Sequence, residues 1–147
     1  MKKFLGIVVL GLLLITSAYA KSIKPGSGPL KLSEETVRIF HIYLTERLTE
    51  KKFEEENLPG MIFPGGTKAR YGNHFHIIGK DRPYIWVWWN ESNPPADTRA
   101  AFGCNSCRMF AKSNKIMWKK SKKRISRKVS LEELKVILKE LGFYDGD

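Results

Sequence analysis

The chain has 147 residues, of which 26 are Lys or Arg and 15 are Asp or Glu, for a net charge of +11. That length suits one domain, and the absence of internal repeats or long low-complexity segments excludes solenoid and fibrous classes. Such an excess of positive charge predicts contact with anionic lipid, an envelope polyanion or nucleic acid.

The first 20 residues, MKKFLGIVVLGLLLITSAYA, have the layout of a secretory signal peptide. Two lysines precede an apolar run from Phe4 to Ile15, and small residues end at Ala20 in an A-x-A cleavage site. The run is shorter than the roughly 20 apolar residues that span a bilayer. We therefore expect cleavage after Ala20 and a periplasmic or extracellular mature chain without a transmembrane segment.

The mature chain is predicted to begin with a flexible lead-in, residues 21–32, which is rich in Gly and Pro. A single globular domain should then occupy residues 33–147. Ser33 is a typical N-cap and is followed by two glutamates. Apolar residues at helical spacing predict an amphipathic helix from residue 34 to about residue 53.

Two strands are predicted next, HFHIIG at 74–79 and YIWVWW at 84–89, joined by a connection of hairpin length. The preceding segment, 60–72, is predicted as a loop and lacks the G-x-x-x-x-G-K-[ST] pattern of a phosphate-binding loop. A short helix is expected at 98–102, before the cysteines. A second hairpin should follow them, with Ser113-Asn114 as its turn.

The last predicted helix has clear start and stop signals. Ser130 and Glu133 form a capping box, and Gly142 occupies the usual termination position. Together the elements predict an α+β fold, in which an N-terminal and a C-terminal helix cover a small antiparallel sheet of about four strands.

The order of these features resembles a group of short secreted alphaproteobacterial proteins. The matching residues are the aromatic strand YIWVWW, Cys104 and Cys107, then MFA, IMWK, a basic loop and a terminal KELGFYD. The resemblance covers most of the mature chain and is clearest from Ala100 to Asp145. It implies this fold and export; it implies no activity, because none is known for the group.

Cys104 and Cys107 are the only cysteines, spaced C-x-x-C. Disulfides persist in an oxidising compartment, which favours a structural disulfide between them. A thiol–disulfide redox pair is the alternative, although a thioredoxin-like fold needs more chain after the motif than is present here.

A metal site that combines the cysteines with His74 and His76 is a second alternative. The two histidines lie at i and i+2 and so share one face of a strand. Because Phe75 and Ile77 are then expected to face the core, we predict that both histidines face solvent. No metal or other cofactor is therefore assigned.

The aromatic strand has two apolar faces, and two interpretations stay open. It is either an interior strand covered on both sides or the carrier of an exposed aromatic row that stacks on sugars or bases. The residues of that row are Tyr84, Trp86 and Trp88.

The segment KIMWKKSKKRISRK, residues 115–128, has eight basic residues and no acid. It is either a phosphate-binding segment or a solvated loop whose lysines protect a strand edge. The candidate anion-binding residues are Lys119, Lys120, Lys122, Lys123, Arg124, Arg127 and Lys128.

No catalytic motif is recognisable, and His41 on the first helix is interpreted as a packed side chain. The sequence therefore predicts a non-enzymatic binding module for an anionic envelope component, with the redox and metal hypotheses as alternatives.

Overall fold

The structure, a computed structural model, describes residues 24–62, 69–87 and 106–146. These residues form three α-helices and five β-strands, joined by turns and loops. The helices are α1 (Glu34–Thr45), α2 (Glu50–Glu55) and α3 (Leu131–Glu140), and a 3₁₀ turn covers Trp118–Lys120. The strands are β1 (Gly60–Ile62), β2 (His74–Ile78), β3 (Arg82–Val87), β4 (Cys107–Lys112) and β5 (Lys115–Ile116). None of the helices in these ranges has the length and apolar character needed to cross a membrane.

The five strands form one sheet in the order β1-β3-β2-β4-β5. The predicted α+β class is confirmed, but the expectation of a purely antiparallel sheet of about four strands is wrong. Strand β1 lies in the segment predicted as a loop and pairs parallel with β3, with Met61 opposite Trp86. The reason is the β2–β3 hairpin: β2 runs back along the sheet, so β3 again takes the direction of β1 and meets it at the edge.

Helix α1 begins where the sequence predicts, with the Ser33 hydroxyl accepting a hydrogen bond from the Thr36 amide at 3.2 Å. It ends at Thr45, however, so the prediction of one helix to about residue 53 is wrong. The chain breaks there because Leu48 is fully buried and its backbone pairs with Arg70. Thr49 then caps a separate helix, α2.

The turn between β2 and β3 holds the start of α1 against the sheet. One carboxylate oxygen of Asp81 accepts hydrogen bonds from the Ser33 amide at 2.8 Å and from the Thr36 hydroxyl at 3.2 Å. A negative charge at a helix N-terminus also interacts favourably with the helix dipole.

The core between the helices and the sheet is aromatic. The Phe40 ring of α1 lies edge-on to Phe75 of β2 at 4.8 Å and to Phe110 of β4 at 5.2 Å between ring centroids. Phe143, after α3, meets Phe110 at 5.3 Å. Edge-to-face pairs of this kind add about 0.5–1.5 kcal/mol each beyond the apolar area that they bury.

The described part of the predicted lead-in packs against the domain. Pro25 bridges to Met109 in a parallel arrangement, and the Met109 amide donates to the Lys24 carbonyl at 3.1 Å. Leu30 and Leu32 are both buried in the core. Two side chains of the lead-in therefore belong to the core.

The second hairpin and the last helix agree with the sequence. Ser113 and Asn114 form the turn between β4 and β5, and Ser113 has a positive φ of 53°. The capping box of Ser130 and Glu133 is present at the start of α3. At its end the Phe143 amide donates to the Leu138 carbonyl at 2.8 Å, while Gly142 takes a φ of 80°, which completes a Schellman motif.

Several predictions concern residues outside the described ranges. They are the signal peptide, the short helix at 98–102, the strand residues 88–89 with Trp88, and Cys104.

Gly72 should be essential for stability, because an added Cβ would lie 2.0 Å from Cδ2 of Tyr43, a fully buried ring. We expect Gly72→Ala to lower the free energy of unfolding by about 1–3 kcal/mol, the usual cost of overpacking. Urea denaturation followed by circular dichroism measures the change. Gly28→Ala is the matched control, since its Cβ would meet nothing closer than 4.0 Å. Equal effects of the two substitutions would contradict the packing argument.

Candidate functional site

The basic segment, residues 115–128, is attached to the sheet by buried apolar side chains. Ile116, Trp118 and Ile125 are buried, and Arg124 forms a backbone bridge with Lys115. Because these anchors fix the backbone, the charged side chains between them point outward. Six of the seven predicted anion-binding residues are exposed: Lys119, Lys120, Lys122, Lys123, Arg124 and Lys128.

The carboxylates of the described ranges form their ion pairs away from the basic segment. These ion pairs join residues of the helices with one another or with residues next to the helices, and one further pair joins Lys31 to Asp145. The pair of Arg38 with Glu35 at 2.7 Å is one example. None of them includes one of the six exposed residues of the basic segment. Positive charge on that segment is therefore not neutralised by a carboxylate of the described chain.

Arg127, the seventh predicted residue, is held differently. Its guanidinium donates to the Leu44 carbonyl at 3.1 Å and to the Ser113 hydroxyl at 2.8 Å. It also lies 4.1 Å from the centroid of the Tyr71 ring, and the guanidinium of Arg47 lies 4.3 Å from the same centroid. We call Arg47 and Arg127 the arginine pair.

The arginine pair has no carboxylate partner among the described residues, and two like charges share one aromatic ring. Burial lowers the pKa of Arg127 from its ordinary value, Tyr43 and Tyr71 oppose that shift, and the charge of Arg47 lowers the pKa further. Arg47 itself is exposed. The site is therefore a fixed cationic group that an approaching anion can reach from the side of Arg47.

Two backbone features place Tyr71 within reach of both arginines. The Arg70 amide donates to the Leu48 carbonyl at 3.1 Å, which places residues 69–72 beside the end of α1. Gly72 then packs closely against the Tyr43 ring. The Tyr43 hydroxyl donates to the Ser113 carbonyl at 2.8 Å. Burial raises the pKa of Tyr43, so its hydroxyl stays neutral. Sequence reasoning missed Arg47 and Tyr71, because no motif links residues so far apart in the chain.

The aromatic strand is an interior strand. Trp86 is 1% exposed, and Ile85 on the opposite face is also buried, so the Trp86 ring is not presented to solvent. Tyr84 is half-buried, and Trp88 lies outside the described residues. Trp118 is buried as well, its indole N–H donating to the Gly28 carbonyl at 2.8 Å.

His74 and His76 are buried, with 6% and 0% of their surface exposed, so the prediction that they face solvent is wrong. Phe75 and Ile77 do face the helices, as expected; the error was to take the other face of the sheet as open. Three of the four ring nitrogens, Nδ1 of His74 and both nitrogens of His76, have no hydrogen-bond partner within the described chain. Burial lowers the pKa of His74 to about 4 and that of His76 to about 3, so both rings are neutral at physiological pH.

Cys107 is the first residue of β4 and is 8% exposed. Its predicted partner Cys104 lies outside the described ranges, so the disulfide remains a prediction. His41 is half-buried, and its Nε2 donates to the Val129 carbonyl at 2.9 Å, which agrees with a packing role. The described residues hold no group of three or more His, Cys, Asp or Glu side chains arranged to bind a metal ion.

Comparisons with protein-family models, with curated proteins and with solved structures found no match.

Arg127 should contribute to stability through its two hydrogen bonds and its contact with Tyr71. We expect Arg127→Lys to keep the charge but to lower the free energy of unfolding by about 1–2 kcal/mol, because a lysine cannot make both hydrogen bonds and the stacking contact. Chemical denaturation gives the value. Arg124→Lys, at an exposed position, should change it by less than about 0.5 kcal/mol. A tolerated Arg127→Lys would mean that the guanidinium is not fixed as described.

Proposed function

We propose that the protein is exported and acts as a non-enzymatic binding module for a phosphate-bearing anionic component of the cell envelope. The observation that carries the proposal is the arginine pair on Tyr71. Its two guanidiniums are held within 4.3 Å of one ring centroid without a carboxylate partner in the described chain.

The first supporting step is the chemistry of the guanidinium group. Arginine presents a planar fork of N–H donors that matches phosphate oxygens, and charge-assisted hydrogen bonds of this kind are stronger than neutral ones. Arg127 is already fixed by Leu44 and Ser113, so little side-chain entropy is lost when an anion binds. Arg47 is exposed and can complete the contact.

The second step is the distribution of charge around the pair. The basic segment includes Arg127, and its six exposed cations have no acidic partner in the described ranges. The helices hold most of the acidic residues, including Glu50, Glu54 and Glu55 of α2. Such an asymmetric field draws an anionic surface toward the basic segment and raises the association rate at low salt.

Export is part of the proposal because it decides which anions are available. The N-terminal sequence supports it through its lysines, its apolar run and its A-x-A site. Outside the cytoplasm the abundant phosphate-bearing surfaces are lipid headgroups and envelope polymers. We commit to the lipid surface, whose negative potential contributes about 1 kcal/mol per nearby Lys or Arg.

The test is binding of tag-free protein to vesicles of phosphatidylcholine with and without phosphatidylglycerol, measured by sedimentation. Binding should require phosphatidylglycerol and should fall roughly twenty- to forty-fold between about 50 and 200 mM salt if three phosphates are contacted. Soluble polyphosphate and single-stranded DNA serve as competitors. Tighter binding to either of them than to vesicles would reject the lipid surface as partner.

Arg47→Gln should weaken vesicle binding about five-fold, the loss expected for about 1 kcal/mol at a membrane surface. Lys51→Gln is the matched control: it removes the same charge from α2, where Lys51 is exposed and paired with Glu55 at 3.4 Å. Lys51→Gln should change vesicle binding by less than about two-fold, because salt screens a cation that lies outside the contact with the membrane. Equal losses in the two variants would show that only net charge matters, and no binding to any anion would reject the proposal altogether.

A further inference from the structure

The face of the sheet that points away from the helices carries an unusual set of side chains. Register places these residues on it: Met61 of β1, Arg82, Tyr84 and Trp86 of β3, His74, His76 and Ile78 of β2, Cys107, Met109 and Lys112 of β4, and Lys115 of β5. We call it the histidine face. The described residues of this face include two imidazoles and two thioethers, and none of them is a carboxylate.

His76 lies at the centre of the histidine face. Across the sheet it pairs with Tyr84 on one side and with Met109 on the other. Directly opposed residues in such pairs have Cβ atoms about 4.5–5.5 Å apart, so the Met109 thioether is within reach of the His76 ring. The His74 ring centroid is 5.7 Å from that of His76, and the Trp86 ring centroid is 4.4 Å away.

The buried nitrogens of these histidines need an explanation. A buried polar atom without a hydrogen bond costs about 1–3 kcal/mol, and such atoms often indicate a bound ion or water. His76 is fully buried, and neither of its ring nitrogens has a hydrogen-bond partner in the described chain. Nδ1 of His74 is also buried and also lacks a partner there. A ligand that accepts electron pairs from neutral imidazoles would satisfy them.

We infer that His74, His76 and Met109 bind a soft monovalent metal ion, Cu(I). Two imidazoles bound to one ion, each with a nitrogen about 2.0 Å from it, can have ring centroids up to about 6 Å apart, which fits the 5.7 Å separation. Thioether ligands select Cu(I) over harder ions, and imidazole also suits copper. Met109 is only half-buried, so the ion can reach the site from the side of the Met109 thioether. The inference does not depend on the proposed anion binding.

The test uses tag-free protein whose free thiols have been blocked with N-ethylmaleimide, so that thiolates cannot supply the ligands. Cu(I) is titrated anaerobically in competition with bicinchoninate, and Ag(I) serves as a redox-inert probe. We expect one equivalent of either ion to bind and to quench tryptophan fluorescence, because Trp86 lies next to His76. Absence of binding, or Zn(II) binding as tight as Cu(I), would overturn the inference.

Met109→Leu conserves side-chain volume and should preserve the fold while lowering Cu(I) affinity at least about ten-fold. Met117→Leu is its matched control, at a half-buried methionine that follows the end of β5 and lies outside the paired strands. His76→Asn should abolish binding, whereas His41→Asn should leave it unchanged, because His41 is engaged with Val129. If Met117→Leu or His41→Asn weakens binding as much as its counterpart, the proposed ligand set is wrong; circular dichroism checks that every variant is folded.

Discussion

The contact between Phe75 and Phe40 fixes which face of β2 meets the helices. Their ring centroids are 4.8 Å apart, and Tyr43 adds a second edge-on contact with Phe75 at 5.2 Å. Side chains alternate along a strand, so a slip of one residue would turn every side chain to the other face. The aromatic core therefore also decides where His74 and His76 lie, although neither histidine belongs to it.

The arginine pair shows how a charge can be retained without a counter-ion. Arg127 is stabilised by a carbonyl, a hydroxyl and the face of Tyr71, each of which offers partial negative charge. None of them neutralises the guanidinium, and the nearby charge of Arg47 adds repulsion. A carboxylate at this position would relieve the repulsion but would also occupy the N–H donors. The proposed function needs these donors to be available to an external anion.

Elements that depend on a few neighbouring residues could be predicted from the sequence. The caps at Ser33 and Ser130 and the turn at Ser113 are local features, because the hydrogen bonds that define them join residues close in the chain. The anion-binding candidates were found in the same way, as a run of like charge. Arg47 and Tyr71 were not, since they meet Arg127 only through tertiary structure.

The errors have a common physical origin in long-range contacts. Helix α1 ends early because Leu48 pairs with Arg70, and the parallel pairing of β1 depends on the direction of β3. Burial of His76 depends on cover over the second face of the sheet, which period-two alternation cannot reveal. An alternating strand looks the same in sequence whether its polar face is open to water or closed.

The electrostatic surroundings of the histidine face bear on the charge of any ion that binds there. Lys112 lies opposite His74, and after burial its positive charge is the second cause that lowers the pKa of that histidine. None of the described residues on the face is acidic, so none of them offsets the repulsion between Lys112 and a bound cation. That repulsion is twice as large for a divalent ion as for a monovalent one at the same position. Neutral soft ligands and a nearby lysine thus act in the same direction, and both favour Cu(I) over Zn(II) at the site formed by His74, His76 and Met109.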